Sequence, residues 1–301
     1  MLNALAPIFL IIILGYILKN TFFSETLFWI FAEKITYFIF FPSLLLKNLS
    51  QTNWSEITAL SMLAALLLTI VVLSATMYLI KPLTNIAGPS FSSVFQGSIR
   101  FNSFVGLAGA SALLGDQGLA MAAVALMGMI PLVNLLSVPT IVGYSKSKHV
   151  NLSYISKEVI RNPLILACIA GFLISILSIS IPRPLLHVLD LLGSAALPLG
   201  LLAVGAGLQV KSNTLRLLPI SITSATKLVI NPGLTAFWGF IFGITGPPLT
   251  IAILFAGIPT APSAYILSRQ LGGDHELMAA LITTQTAFSA ITLPTILYLV
   301  S

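Results

Sequence analysis

The sequence predicts an all-α integral membrane protein of ten transmembrane helices, built as two inverted five-helix repeats with the fourth and ninth helices broken. Three observations predict it: the scarcity of charge, the spacing of the apolar runs, and a motif that recurs near the end of each half. Of 301 residues, 14 are Lys or Arg and 8 are Asp or Glu, so 7% are charged while 57% are hydrophobic. An ordinary soluble domain carries about 25% charged and roughly 45–50% apolar residues. With a mean hydropathy of +1.04, a soluble fold could not cover its surface with polar groups. Soluble globular, disordered and disulfide-scaffold classes are excluded.

The hydrocarbon core is about 30 Å thick and takes roughly 20 helical residues to cross. Charge-poor runs of that size, cut at Pro, Gly and charge clusters, are 2–18, 26–49, 57–80, 88–114, 119–143, 160–181, 185–209, 215–242, 248–270 and 276–300. Residues 57–80 and 277–301 contain no charge. Gly115-Asp116-Gln117-Gly118 separates span 4 from span 5, and Gly243, Gly246, Pro247 and Pro248 separate span 8 from span 9. The first run lacks a basic start and a cleavage site, so it reads as a helix rather than a removed signal.

Loops and span ends after odd-numbered spans hold Lys19, Lys81, Lys146, Lys148, Lys157, Arg161, Lys211, Arg216 and Arg269; those after even-numbered spans hold Lys47 and Arg183. Positive loops stay inside, which puts both termini on the extracytoplasmic side. The net charge of +6 therefore reads as basic cytoplasmic loops beside a lipid bilayer, not as a nucleic-acid surface.

Residues 115–122 read GDQGLAMA and residues 273–280 read GDHELMAA. Each is followed by a matching exit, Ser137-Val138-Pro139-Thr140-Ile141 and Thr292-Leu293-Pro294-Thr295-Ile296. Span 4 thus repeats as span 9 and span 5 as span 10. A unit of five spans is odd, so the halves must be inverted relative to each other, an architecture of transporters with the site at the midplane. The domains expected are 1–143 as the first repeat, 144–158 as a cytoplasmic linker, and 159–301 as the second repeat.

The alignment sets Asn102 and Ser103 against Thr260 and Ala261. Pro259 and Pro262 lack amide protons and clash with the preceding turn, so span 9 cannot run through Pro-Thr-Ala-Pro as a regular helix. In span 4, Arg-Phe-Asn-Ser is an unwound stretch whose Asn and Ser can cap a restarting helix. Unwound backbone at this depth must be buried in protein or line a cavity. The restarting helices aim their amino ends at the midplane, which suits an anion.

The segments FNSFVGLAGASALLG and PTAPSAYILSRQLGGDHELMAA, with ten spans around a basic central loop, resemble the auxin efflux carrier family along essentially the whole chain. The resemblance implies a fold shared with plant auxin carriers and, more distantly, with sodium-coupled bile acid symporters. In those folds helices 4 and 9 break and cross, and one bundle moves like an elevator past a scaffold. Bacterial members include malonate and malate permeases. Carried over, the crossover falls on Asn102 and on Pro259 to Pro262. Span 4 departs from the plant members in having no proline at its break. The short linker points to a compact permease of the bacterial inner (plasma) membrane, and the resemblance implies a homodimer.

Ionisable groups within spans are functional candidates by default. Lys227 lies 12 residues into span 8, about 18 Å deep at 1.5 Å per residue, with Asn231 one turn on and Pro232 freeing the carbonyl of Leu228. It is either a substrate or coupling group or a lysine paired structurally, with Glu33 as the partner. Arg100 either holds a carboxylate bidentately or bonds to carbonyls freed by the break. Glu33 and Lys34 read as side chains that snorkel to the interface. Gln285, Thr283 and Thr286 read as groups that bond neighbouring helices. The candidate substrate-binding set is Arg100, Asn102, Ser103, Pro259, Thr260, Pro262, Ser263, Lys227 and Asn231.

These features predict a secondary transporter of small organic anions, with proton or sodium as the coupling ion. The alternative is a sodium-coupled symporter of a larger amphipathic acid, for which the crossover offers Asn102, Ser103, Thr260 and Ser263 but no acidic residue. An intramembrane enzyme would need a nucleophile with its base, paired aspartates or metal ligands, and Asp116, Asp190 and Asp274 are far apart in the chain. A single Cys168 and three scattered histidines, His149, His187 and His275, provide no metal-ligand spacing. No cofactor is expected.

Overall fold

In a computed structural model, residues 2–54, 59–145, 161–209 and 217–300 are described. The linker 144–158 falls almost wholly outside them, as do Lys146, Lys148, Lys157, Lys211, Arg216 and His149. The regular structure among the described residues is helical. The first half comprises α1 (Leu2–Thr21), α2 (Thr26–Ile35), α3 (Phe41–Ser50), α4 (Leu60–Ile80), α5 (Gly88–Ile99) and α6 (Ser103–Tyr144). The second comprises α7 (Pro163–Ile176), α8 (Arg183–Ser194), α9 (Ala196–Ala206), α10 (Leu217–Ala225), α11 (Asn231–Ile241), α12 (Pro247–Gly257), α13 (Ser263–Leu271) and α14 (His275–Val300).

Among the described residues, six stretches are long and apolar enough to cross a bilayer: Asn3–Thr21, Thr26–Ser50, Leu60–Leu83, Gly88–Tyr144, Arg183–Ala206 and His275–Val300. The number is smaller than the ten expected spans for local reasons. Spans 4 and 5 run together in one stretch of 57 residues, and Pro163–Ile176 and Pro247–Gly257 are apolar but shorter. Span 9 is cut into α12 and α13, and span 8 is interrupted over Thr226–Ile230.

The surface is inverted relative to a soluble protein. Phe22, Leu79 and Phe240 point outward with 79%, 76% and 85% of their area exposed, whereas Ser92, Ser93, Gln96, Ser98, Thr260 and Gln285 are fully buried. Soluble monomers rarely expose contiguous apolar patches beyond a few hundred Å². Polar groups gathered between helices with apolar faces outside are the arrangement lipid demands. The protein is a multi-pass membrane protein.

Two prolines widen the helices that carry them. Over Thr36–Phe40 and Thr226–Ile230 the chain forms π-turns, with the Phe41 amide reaching back to the Thr36 carbonyl and the Asn231 amide to the Thr226 carbonyl. Pro42 and Pro232 follow directly. Each lacks the amide that would close a regular turn, and one wide turn accommodates the defect. Leu228, whose carbonyl Pro232 was expected to free, lies inside this π-turn.

Within α6 the chain kinks at Gly115, with φ 56° and ψ −135°. That region is essentially reserved for glycine. Gly115→Ala is expected to destabilise the fold by about 1–3 kcal/mol, although nothing lies within 4 Å of the added methyl. Gly143→Ala, in the same helix and equally unobstructed, should instead stabilise by roughly 0.5–1 kcal/mol. Thermal unfolding in detergent checks the pair; equal shifts would contradict the kink. The two aligned aspartates behave differently. Asp274 caps α14 through the Leu277 amide at 3.1 Å and accepts from Ser90 at 2.7 Å, while Asp116 accepts from Asn48 Nδ2 at 2.8 Å.

Packing sorts the helices into two groups. One holds α1, α2, α3, α7, α8 and α9; the other holds α4, α5, α6 and α10 to α14, and α6 is the main link between them. In the first group, α1 and α9 meet backbone to backbone. A methyl at Gly15 would strike the Leu202 carbonyl, and one at Gly205 the Ile12 carbonyl. Such close approach through small residues is how helices bind each other in lipid.

Candidate substrate site

The two interruptions lie against each other. After α5, Arg100 and Asn102 are extended, at φ −74°, ψ 147° and φ −93°, ψ 102°. After α12, Ile258 is extended, at φ −69°, ψ 149°. The Asn102 amide donates to the Pro259 carbonyl at 2.9 Å. Thr260 Oγ1 donates to the Gly97 carbonyl at 2.9 Å and to the Arg100 carbonyl at 3.3 Å. Gln285, reaching in from α14, accepts from the Thr260 amide and donates to the Gly97 carbonyl, each at 3.0 Å. Amides and carbonyls that a continuous helix would satisfy internally are satisfied here across the crossing.

Asn102 also caps α6, its Oδ1 accepting from the amides of Phe104 at 3.0 Å and Val105 at 3.4 Å. Asn102, Pro259 and Thr260 are therefore occupied in holding the interruptions, and all three are buried. None of them lines either of the two cavities described next.

Arg100, Ser103 and Ser263 do share one cavity of about 280 Å³, together with Glu33, Tyr37 and Asn134. A water occupies about 30 Å³ of liquid, so the space admits a small acid and a few waters. Arg100 offers a planar fork suited to a carboxylate, and Ser103 and Ser263 add hydroxyls at the first turns of α6 and α13, whose amide ends are partly positive. Asn162 borders the same cavity and caps α7 through the Leu164 amide at 3.0 Å and the Ile165 amide at 3.2 Å. Pro262 lines a second cavity of about 600 Å³ that also holds Lys19, Arg269 and Gln209.

Lys227 and Asn231 line neither cavity. Lys227 is fully buried, and its ammonium has no hydrogen-bond partner among the described residues. Among the described residues Lys47 pairs with Asp190 at 3.0 Å, and the alternative of a structural pairing between Lys227 and Glu33 does not form. Glu33 corrects a second expectation, because its side chain faces both cavities instead of snorkelling to the interface. Gln285 bonds a neighbouring helix as its residue type suggested; Thr283 accepts from the Gln209 amide at 3.0 Å in the segment after α9, and Thr286 instead donates to the Ile282 carbonyl within α14 at 2.7 Å.

A sequence profile described as membrane transport protein, the auxin efflux carrier-like family, matches residues 145–297, half of the chain. The chain belongs to this family. Its members are described by transport, not by catalysis. This chain is also similar to the "Putative malonate transporter" of Rhizobium meliloti (strain 1021), with 31% identity over 150 residues. That stretch is 48% of this chain and 46% of the relative, so the likeness spans less than half of the relative's length.

Residue type alone did not single out Tyr37, Asn134 or Asn162. The available signals were an asparagine inside the apolar run of span 5 and an Asn-Pro pair at the start of α7, both of which fit ordinary helix structure equally well.

Proposed function

We propose that this member of the family is a secondary transporter of small organic anions, carboxylates, which bind beside the α5/α6 and α12/α13 interruptions. The observation that carries this reading is that Arg100, Ser103 and Ser263 come from three separate helix ends and converge on one cavity. The recognition set is Arg100, Ser103 and Ser263. Asn102, Pro259, Thr260 and Pro262 shape the crossover behind it, and Lys227 and Asn231 stand outside it.

The architecture we assign is ten spans in two inverted five-helix repeats, 1–143 and 159–301, joined by a cytoplasmic linker over 144–158. Helix 4 is α5 with the part of α6 before Gly115, helix 5 is the rest of α6, and helix 9 is α12–α13. Both termini lie outside a bacterial inner membrane, and a homodimer is the assembly. Transport proceeds by an elevator movement of the α4, α5, α6 and α10–α14 group against the other. The division of the packing supports this reading, as does its asymmetry. Thr26 lines the larger cavity, while Asn48, 22 residues or about 33 Å further along, bonds to Asp116 across the two groups. A carrier open at one end and tied at the other is poised for alternating access.

The test is uptake of labelled malonate, malate, lactate and an indole acid into proteoliposomes, with and without a proton gradient and with sodium replaced by choline. Saturable uptake of a small carboxylate is expected, unaffected by choline. No uptake above empty liposomes for any acid overturns the reading. Uptake of the indole acid alone, lost in choline, would favour a sodium symporter of larger acids.

A further inference from the structure

Glu33 is the acidic residue that lines both cavities, the one holding Arg100 and the one holding Lys19 and Arg269. It stands three residues before the π-turn at Thr36–Phe40, which places it on α2 in one packing group, while Arg100 follows α5 in the other. Its carboxyl forms no hydrogen bond or ion pair with another described residue. Lys34, its neighbour in sequence, is exposed and lies over the Phe31 ring. The titratable and charged groups around Glu33 are Tyr37 and Arg100 in the smaller cavity and Tyr16, Lys19, Tyr265 and Arg269 in the larger. The packed helix α9 contributes none.

A carboxylate in a cavity built for an anion works against its ligand. Ionised, it repels the incoming charge and competes for the field of Arg100; protonated, it stops doing both and can donate a hydrogen bond. We infer that Glu33 is the relay for the proton that crosses with the anion, so that transport is proton–anion symport with one proton passing through Glu33 per cycle as the Arg100 group moves past α2. The inference rests on the carboxylate-transport reading and adds the coupling ion and its site. Anion and proton load from the same side, since Glu33 faces the same space as Arg100. Both leave on the other side, where the released proton returns Glu33 to its ionised form. An empty carrier then resets with the carboxylate balancing Arg100.

The experiment counts protons per labelled malonate in proteoliposomes that enclose a pH-sensitive dye, for wild type, Glu33→Gln and Glu33→Asp. The wild type should move one more proton per acid than Glu33→Gln, and Glu33→Asp should restore the wild-type count. Equal counts for wild type and Glu33→Gln overturn this inference alone. A wild type that moves no acid of the panel overturns the transport reading and this inference with it. Should Glu33→Gln not fold, wild-type protein treated with a carbodiimide, which attacks protonated carboxyls in apolar surroundings, provides the second measurement. Loss of transport with modification at Glu33 by mass spectrometry is expected; full modification at Glu33 with transport intact overturns the proposal.

Discussion

Arg100→Ala is expected to lower kcat/KM for carboxylate uptake about 10- to 100-fold, the worth of roughly 1.5–3 kcal/mol for hydrogen bonds to a charged group. The backbone bonds that Arg100 makes at the crossing should survive the change. Its amide donates to the Gln96 carbonyl at 2.8 Å and its carbonyl accepts from Thr260. Alanine keeps both. Arg100→Lys keeps the charge but loses the planar fork, so it should recover only part of the rate. Initial rates against substrate concentration, with protein matched by gel filtration, check the series. Wild-type kinetics in Arg100→Ala would remove the guanidinium from recognition and with it the main reason for reading the cavity as an anion site.

Gln285→Leu should be the most destabilising single change at the crossing. Its amide is the bridge between Thr260 and Gly97, at 3.0 Å to each, and it is fully buried. Two effects of different size compete in the estimate. Side-chain hydrogen bonds between membrane helices average about 0.6 kcal/mol, but leaving a buried group unsatisfied costs about 1–3 kcal/mol. The Gly97 carbonyl keeps Thr260 Oγ1 as a donor, whereas the Thr260 amide loses Gln285 Oε1, the acceptor it bonds. The larger figure therefore governs, and a loss of about 1–3 kcal/mol is expected. Because Thr260 and Gln285 share Gly97, Thr260→Val and Gln285→Leu should not add. Thermal midpoints of the two single variants and the double variant in detergent measure this. Strict additivity, or an unshifted Gln285→Leu, would mean that the interruptions are held by apolar packing alone.

The breaks were legible in the sequence because proline chemistry is local. Pro259 and Pro262 forbid a regular helix wherever they stand, and Asn102 carries its capping ability with it. The direction a side chain takes around a helix is not local. Depth along span 8 put Lys227 near the midplane, but only packing against α5, α12 and α14 decides that its ammonium meets no partner and opens into neither cavity. Glu33 was misplaced for the same reason: eight residues into span 2, it is equally suited to the interface or the interior until α9 and the crossing are built around it. The role of Pro232 was half legible. The missing amide could be read from the residue, whereas the π-turn that absorbs it is a choice of the folded backbone.

The central claim is that the cavity bordered by Arg100, Ser103 and Ser263 is where the transported acid sits. Its most direct test uses a single cysteine. Cys168 is fully buried, so Cys168→Ser should leave an uncomplicated background for Ser263→Cys, whose position is exposed to the cavity. The measurement is the rate of thiol modification at position 263 with and without malonate in protein that transports it. At ten times Kd, mass action predicts about an 11-fold slowing. An unchanged rate while uptake saturates would place the substrate elsewhere and contradict the account.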